Sequence, residues 1–226
     1  MSISKNKIIM AKKIKSYTEG EMIKTFGLTR LFGNKAHPIM ERWTETSTIL
    51  DDLDQRLFDR VYRNATENII GWQEEELKMQ FIAPVLIIAN LENTKTYSNF
   101  YERVVEDTVD GYFLKTKTDY MIAKGTFGIP DLPYFHFQEY KPFKNPSGDS
   151  MGQLLEAFLI AQQKNNNSKP IYGCEIIGKY WNFVILKDRT YCVSDSYDCT
   201  KKADLMQIIA ILRKFKYILD TELIDK

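Results

Sequence analysis

The chain has 226 residues, and its 31 basic and 30 acidic side chains leave a formal net charge of +1. Overall charge therefore argues neither for nor against a polyanionic partner, and any basic surface has to be local. A hydrophobic share of 44% and an aromatic share of 13% are those of a globular protein with a sizeable core, and they exclude a disordered chain.

The sequence contains no pattern typical of export or membrane insertion. Its longest early apolar run, residues 8–11, is too short for the core of a signal peptide. No run approaches the roughly 18–20 apolar residues of a transmembrane helix. The cysteines are odd in number and form no CxxC pair, which favours reduced thiols: Cys174, Cys192 and Cys199. We therefore expect a cytoplasmic protein with no membrane partner.

The N-terminal part of the chain predicts helices. Residues 1–16 are rich in lysine, which indicates a solvated tail, with an arm that touches phosphates as the less favoured alternative. Residues 19–70 read as mostly helical, with breaks near residues 33–34 and 37–38. Between residues 51 and 70, apolar side chains recur every four residues, which predicts a helix with one buried face.

A second helix is predicted from Trp72 to Leu91. It begins with a glutamine and three glutamates, and acidic side chains suit the positive end of a helix. The following residues are apolar nearly all round, which indicates burial. Pro84 lies inside this stretch, so we expect it to kink the helix or split it in two.

After residue 110 the pattern changes to strands. Residues 112–123 and 134–141 predict two strands separated by a loop at residues 124–133, which hold two glycines and two prolines. A further loop leads to a helix over 150–163. Three short strands are predicted next, at residues 171–177, 181–186 and 190–193, and a last helix is predicted at residues 203–219. This order predicts an α/β or α+β domain, with a mixed sheet flanked by helices.

The strand FHFQEYKP, residues 135–142, carries the sequence's most informative charges. Side chains two residues apart share one face of a strand, so Glu139 and Lys141 should stand side by side. Asp119 lies in the preceding strand, and a hairpin-like connection would bring it within a few ångströms of Glu139.

Two carboxylates and a lysine at one end of a sheet have a known chemical use. Mg²⁺ prefers carboxylate oxygens, usually one or two together with water and a substrate phosphate. The metal activates a water, and a neighbouring lysine orients that water or neutralises developing charge. The same residue types are also compatible with a surface ion pair on an edge strand, and chemistry alone does not choose between the two.

The pattern Asp119…Glu139-Tyr140-Lys141 resembles the PD-(D/E)XK nuclease superfamily. Its nearest likeness is to restriction-type members, including the N-terminal nuclease domain of type I restriction motor subunits. Three further stretches are similar to that family: Glu76 before the I-x-P-x-L stretch of residues 82–86, the strand Thr118-Asp119-Tyr120-Met121-Ile122, and Gln153 after the E-x-K strand. The likeness covers roughly residues 70–195.

This resemblance implies a restriction-endonuclease-like fold and a magnesium-dependent or manganese-dependent nuclease. Asp119 and Glu139 would be the metal ligands, Lys141 the catalytic lysine, and Glu76 and Gln153 supporting catalytic groups. The implied partner is nucleic acid, with DNA favoured over RNA, and a homodimer is left open. The implied domains are a nuclease-like domain over residues 70–226 and a mostly helical N-terminal extension over residues 1–69, which the likeness does not reach.

The chain departs from the family pattern in two places, and a second function stays open. Thr118 stands where the motif's name expects proline, and Glu74 and Glu75 compete with Glu76 for the helical position. The alternative function is a catalytically inactive module of the same fold that binds nucleic acid or a protein partner.

Other motifs are better explained without chemistry. Residues 148–152 fit G-x-S-x-G, but no histidine follows them, so Ser150 or Asp149 is interpreted as a helix N-cap and not as part of a hydrolase elbow. Residues 173–179 fit the start of a phosphate loop, but their interior is strand-like. His136 alternates onto the face opposite Glu139 and is interpreted as a packed side chain. Lys115 and Lys117 share a strand face with Asp119, where they would either meet phosphates or be ordinary exposed lysines.

Overall fold

The structure is a computed structural model that describes residues 16–91, 95–144 and 146–224. The lysine-rich tail predicted for the N-terminus lies outside these ranges, apart from its last residue. The strands are β1 Thr29–Phe32, β2 Ser98–Val109, β3 Tyr112–Thr126, β4 Ile129–Lys141, β5 Ile171–Ile177, β6 Tyr180–Lys187, β7 Thr190–Val193 and β8 Tyr197–Asp198. The helices are α1 Glu19–Phe26, α2 Pro38–Thr44, α3 Asp52–Asn68, α4 Glu74–Leu77, α5 Ala83–Ile88, α6 Ser150–Asn165 and α7 Lys202–Ile218.

The strands form one mixed sheet in the order β1-β7-β6-β5-β4-β3-β2, with β8 paired to β6. The β4–β5 and β1–β7 pairs are parallel, and the other pairs are antiparallel. Helix α6 connects β4 to β5, as a parallel pair requires a long crossover. The predicted mixed sheet flanked by helices is confirmed.

Helices cover both faces of the sheet and give the protein two apolar layers. Helices α1 and α6 pack on one face, where Phe137 and Met121 contact Phe158 and its neighbours. Helices α2, α3, α5 and α7 cover the other face, around Trp43 and Phe183. The two faces therefore receive alternate residues of β3 and β4, which decides which side of the sheet each charged residue meets.

The segment 124–133, predicted as a loop, is instead the tip of a hairpin. Strand β3 continues to Thr126 and β4 begins at Ile129. Phe127 and Gly128 both have positive φ, of 50° and 77°, which is the backbone geometry of a tight two-residue hairpin turn. Register shifts around Ala123 absorb the irregular residues, so the glycines and prolines do not end the pairing.

The helix predicted over Trp72–Leu91 is present, and its interruption takes an unexpected form. A π-helical turn over Lys78–Ile82 joins α4 to α5, and Pro84 follows in the first turn of α5. A π-helical turn changes the hydrogen-bond spacing within a helix, and such turns are frequent at functional sites. The chain thereby accommodates the proline without breaking the helical path, and Lys78 lies at the start of the irregular turn.

Two structural observations bear on the predictions about membrane insertion and the cysteines. No helix in the described ranges combines the length and apolar character needed to cross a membrane. The three cysteines are free and buried. The cytoplasmic location stays a prediction, because neither fact tests it.

Helix α6 carries an acidic group inside the protein, and this group predicts a pH dependence of stability. Glu156 is only 1% exposed and its Oε1 has no hydrogen-bond partner. Burial raises its pKa from 4.5 to about 8, so the folded state binds a proton that the unfolded state releases between these values. Stability should therefore fall as pH rises through this window, by at most about 1.4 kcal/mol per pH unit from this group.

We expect Glu156→Gln to remove that contribution, so the variant should gain stability relative to wild type as the pH rises from about 5 to 8. Urea unfolding at several pH values measures this difference. Glu67→Gln on the exposed face of α3 is the matched control and should track wild type at every pH. A constant difference between Glu156→Gln and wild type over the window would contradict the prediction.

Candidate active site

Asp119 and Glu139 face each other where the β3–β4 ladder ends. The last regular pair before them is Tyr120 with Gln138. Beyond it, the backbone N–H of Tyr140 donates to Asp119 Oδ2 at 2.8 Å. A side-chain oxygen thus replaces a strand carbonyl as the acceptor, which fixes the Asp119 carboxylate beside Glu139. The structure brings the two carboxylates together, as the hairpin interpretation required.

The three charged residues of this cluster are buried. Asp119, Glu139 and Lys141 are 7%, 1% and 9% exposed, and β4 lies between β3 and β5 in the sheet. The alternative of a surface ion pair on an edge strand is therefore wrong. Among the residues that the structure describes, the Lys141 ammonium forms no hydrogen bond or salt bridge, and Glu139 Oε1 has no hydrogen-bond partner; the Lys141 carbonyl oxygen accepts from the Gly178 N–H at 2.8 Å.

Burial dominates the electrostatics of the carboxylate pair. It raises the pKa of Asp119 above its usual range, against the opposing effects of the Tyr140 N–H and Lys78. Burial also raises the pKa of Glu139 well above its usual range, and the neighbouring Asp119 charge raises it further, while Lys141 lowers it. Two adjacent carboxylates in a dry site are costly to ionise together, so the pair favours either a shared proton or a bound cation.

Lys78 is the residue of the site that the sequence analysis missed. Its Nζ lies 2.8 Å from Glu74 Oε1, 3.0 Å from Glu102 Oε1, 3.1 Å from Asp119 Oδ1 and 3.5 Å from Glu75 Oε1. Burial lowers the pKa of Lys78, but these carboxylates outweigh it, and the net pKa lies above its ordinary value. The ammonium is therefore firmly charged and holds one oxygen of Asp119.

Glu102 reaches Lys78 from strand β2 through an unusual backbone. Its φ is 54°, a left-handed conformation that non-glycine residues rarely adopt inside a strand. It lies between residues that pair with Tyr120 and Thr118, and so stands at the level of Asp119. Its carboxylate also pairs with Lys117, and this pairing together with Lys78 lowers the pKa of Glu102 to about 2.

Glu76 and Gln153, the two supporting residues implied by the family resemblance, occupy different kinds of position in the structure. Glu76 is exposed, and its carboxylate accepts a hydrogen bond from the Gln73 N–H at 2.8 Å as part of a capping box. Glu74 and Glu75 contact Lys78 instead. Gln153 is half-buried in the first turn of α6, and a Cβ on Gly148 would lie 3.7 Å from its Oε1. The structure thus groups Asp119, Glu139 and Lys141, and it places Glu76 at the helix cap.

A third buried carboxylate lies on β5. Glu175 pairs in register with Glu139 across the parallel β4–β5 ladder. Its two oxygens are satisfied by Ser150 Oγ at 2.5 Å and Asn182 Nδ2 at 3.1 Å. Burial raises its pKa, and these hydrogen bonds oppose the rise. A glutamate inside the apolar run of residues 171–177 was the sequence signal for this position.

The G-x-S-x-G segment has a structural explanation. Asp149 caps α6 by accepting from the Gly152 N–H at 2.7 Å, and Ser150 donates to a carboxylate, so neither is a hydrolase nucleophile with a histidine base. Gly152 is required by packing, because a Cβ there would lie 2.1 Å from the carbonyl oxygen of Tyr17. The N-cap interpretation is confirmed.

Two other motif interpretations are also confirmed. His136 is fully buried with its ring centroid 4.6 Å from that of Phe215, and burial lowers its pKa to about 3. It lies on the face opposite Glu139 and is a neutral packed side chain. Residues 173–179 belong to β5 and the turn that follows it, and therefore form no phosphate loop.

The strand lysines that share a face with Asp119 have acidic partners on β2. Lys115 pairs with Glu106 at 2.5 Å, and Lys117 pairs with Glu102. Because both ammonium groups are already compensated, the structure favours their interpretation as ordinary strand lysines over that of free phosphate contacts.

An apolar cleft of about 260 Å³ opens beside the carboxylates. Its walls come from the helical segment 78–86 and from β2, and it reaches Asp119 at one end. The lining side chains include Met79, Ile82, Leu86, Tyr101 and Tyr140. Asp119 is thus reachable from a concave surface, as a substrate site requires, whereas Glu139 and Lys141 do not line the cleft.

The donor set fits a single hard cation. The described part of the chain contains no cluster of three or more His, Cys, Asp or Glu side chains arranged as a complete metal cage. Mg²⁺, however, needs only one or two carboxylates besides water and phosphate. Asp119 and Glu139 supply two, and the buried Glu139 Oε1, which has no hydrogen-bond partner among the described residues, is available to a cation.

No family model and no curated protein sequence matches this chain. The function therefore has to be inferred from the buried pair, its lysines and the cleft beside them.

Proposed function

We propose that the protein is a Mg²⁺-dependent or Mn²⁺-dependent phosphodiesterase of the PD-(D/E)XK type that cleaves nucleic acid, with DNA as the expected substrate. The observation that carries the proposal is the buried Asp119–Glu139 pair with Lys141 beside it. A buried carboxylate pair without full compensation is unfavourable for folding alone, and such groups cluster at functional sites.

Asp119, Glu139 and Lys141 each have a defined role in this proposal. Asp119 and Glu139 would hold the metal, which when bound supplies Lewis-acid stabilisation of charge on phosphorus and activates water. Lys141 lies on the same strand face as Glu139, and its side chain forms no hydrogen bond or salt bridge with a described residue. It is thus available to orient the attacking water or to neutralise the developing charge on the phosphate.

The excess of negative charge around the site should make phosphate binding depend on the metal. Around the site, the carboxylates of Glu74, Glu75, Glu102, Asp119 and Glu139 outnumber the ammonium groups of the lysines near them. A phosphate approaching this surface alone would be repelled. A divalent cation reverses the local sign, so binding at this site should require it.

A second candidate function is a catalytically inactive module of the same fold that binds nucleic acid or a protein partner. The observation in its favour is the ammonium of Lys78, which already compensates Asp119 at 3.1 Å. In that case the charges would serve structure, and the site would bind no metal.

Calorimetric titration of Mn²⁺ separates the two functions. We expect wild type to bind Mn²⁺ and Asp119→Asn to lose at least about 10-fold in affinity, because one of two carboxylate ligands is removed. Glu106→Gln, which removes an exposed carboxylate of β2, is the matched control and should bind like wild type.

Cleavage is measured in parallel on supercoiled plasmid and on single-stranded DNA, in Mg²⁺, Mn²⁺ or EDTA. Metal binding with metal-dependent cleavage supports the nuclease. Absence of Mn²⁺ binding to folded wild type would refute it in favour of the inactive module. A light-scattering measurement on the same samples determines the oligomeric state, for which a homodimer is left open.

A further inference from the structure

Lys78 contacts the oxygen of Asp119 that is not hydrogen-bonded to the strand backbone. Asp119 Oδ2 is committed to the Tyr140 N–H at 2.8 Å, which belongs to the backbone and cannot move away without opening the strand end. Asp119 Oδ1 lies 3.1 Å from the Lys78 ammonium. A divalent metal held through Oδ1 would therefore compete with the ammonium for the same oxygen.

The ammonium cannot also compensate the neighbouring ligand. Glu139 Oε1 has no hydrogen-bond partner in the part of the chain that the structure describes, although it is buried beside Asp119. The Lys78 ammonium thus neutralises the Asp119 end of the pair and does not contact Glu139, whose pKa stays well above its usual range although the Lys141 charge lowers it. A divalent cation between the two carboxylates would compensate both.

Two backbone irregularities converge on Lys78. The π-helical turn begins at this residue, and Glu102 reaches it from a left-handed position inside strand β2. Such irregularities cost free energy and persist where the surroundings demand them. Here one irregularity begins at Lys78, and the other lies at Glu102, a carboxylate that contacts it.

The other carboxylates around Lys78 provide a place for the ammonium to stay after it leaves Asp119. Glu74 lies one helical turn before it, and Glu102 lies on the solvent side of the cluster; both are partly exposed. Moving away from Asp119 therefore sacrifices one buried contact and keeps two others.

We propose that the Lys78 ammonium is an exchangeable internal cation that occupies the Asp119 end of the metal site and is displaced from Asp119 when a divalent metal binds. This inference rests on the proposed function, because it concerns the loading of the same site. It makes Lys78 a residue that sets metal affinity, although it is not a metal ligand.

The test compares Mn²⁺ affinity of the full chain and three variants by calorimetry. Lys78→Gln removes the competing charge and should tighten Mn²⁺ binding by about 10-fold or more. Lys78→Arg keeps a cation at this position and should bind no more tightly than wild type. Lys117→Gln is the matched control, because Lys117 also pairs with Glu102 but forms no hydrogen bond or salt bridge with Asp119, and it should change affinity by less than about 3-fold.

The outcomes distinguish this inference from the proposed function. Mn²⁺ binding by wild type with equal or weaker binding by Lys78→Gln overturns the inference and leaves the function standing. No binding by either folded protein overturns both. Should Lys78→Gln fail to fold, a crystal structure of wild type grown with Mn²⁺ decides. Lys78 Nζ must then lie beyond hydrogen-bond distance from Asp119 Oδ1, and an unchanged contact beside a bound metal refutes the inference.

Discussion

Replacing Lys141 with alanine is expected to lower metal-dependent cleavage by about 10²–10⁴-fold, the usual effect of removing a positioned acid–base or charge-stabilising group. Lys141 is buried and shares the strand face of Glu139, and no other described residue competes for its ammonium. Its loss should also raise the pKa of Glu139 further, because the positive charge of Lys141 lowers that pKa. The remaining activity should therefore shift towards higher pH.

The matched control for this prediction is Lys115→Ala. Lys115 also lies on a strand face near the site, but it pairs with Glu106 at 2.5 Å and has no contact with the carboxylate pair. We expect its cleavage rate to stay within about 2-fold of wild type. Single-turnover rates over a pH series measure both effects, with Mn²⁺ titration as a check that Lys141→Ala keeps its metal. Full activity of a metal-loaded Lys141→Ala variant would exclude a catalytic role for this lysine.

The central strands and the grouping of three site residues could be predicted from the sequence because they depend on short-range rules. Alternation along β4 puts Glu139 and Lys141 on one face whatever surrounds them. The preceding strand contains one acidic residue, Asp119, which is therefore expected to lie next to Glu139. Both inferences need only the period of a strand and a hairpin connection.

Strand β2 and its glutamate could not be predicted in this way. Phe100 and Val105 are both buried, although they are five residues apart and should face opposite sides of a regular strand. The left-handed residue Glu102 between them inverts the alternation, so the stretch gives no clear strand period. The irregularity that concealed the strand is also the one that aims Glu102 at Lys78.

The choice among the glutamates of helix α4 depends on tertiary contacts. Glu74, Glu75 and Glu76 are equivalent as residue types at the positive end of a helix. Glu76 is taken by the N-cap because it lies three residues after Gln73, whereas Glu74 lies one turn before Lys78. Since the π-helical turn sets the direction of Lys78, the sequence pattern alone does not identify which glutamate meets the site.

Strand β1 was missed for a related reason. Residues 29–32 are mostly exposed and too short to show a period, so they fall within the stretch of residues 19–70 predicted as mostly helical, a prediction that is wrong at this segment. The strand forms because β7 offers a parallel partner along its whole length. Pairing with a strand about 160 residues away is a long-range effect that no local pattern contains. The predicted division into residues 1–69 and 70–226 stays a prediction.

Replacing Trp43 with alanine is expected to destabilise the protein by about 3–5 kcal/mol, the usual cost of truncating a buried tryptophan. Trp43 is fully buried, with its ring centroid 4.9 Å from that of Tyr172, 5.1 Å from that of Phe183 and 6.2 Å from that of Phe215. Its Nε1 donates to the carbonyl oxygen of Ile211 at 3.0 Å. For a chain of this size, the thermal midpoint should fall by roughly 6–20 °C.

Two control variants test whether the loss of stability comes from the buried aromatic contacts of Trp43. Trp43→Phe keeps most of the aromatic contacts and should cost less than half as much, while Phe32→Ala on exposed strand β1 should change stability by about 0.5 kcal/mol or less. Because Trp43 belongs to the N-terminal segment but packs on β5, β6 and α7, we expect one unfolding transition that shifts as a whole. Two separate transitions, with only the first displaced in Trp43→Ala, would show that residues 1–69 unfold independently and that these aromatic contacts do not couple the segment to the sheet.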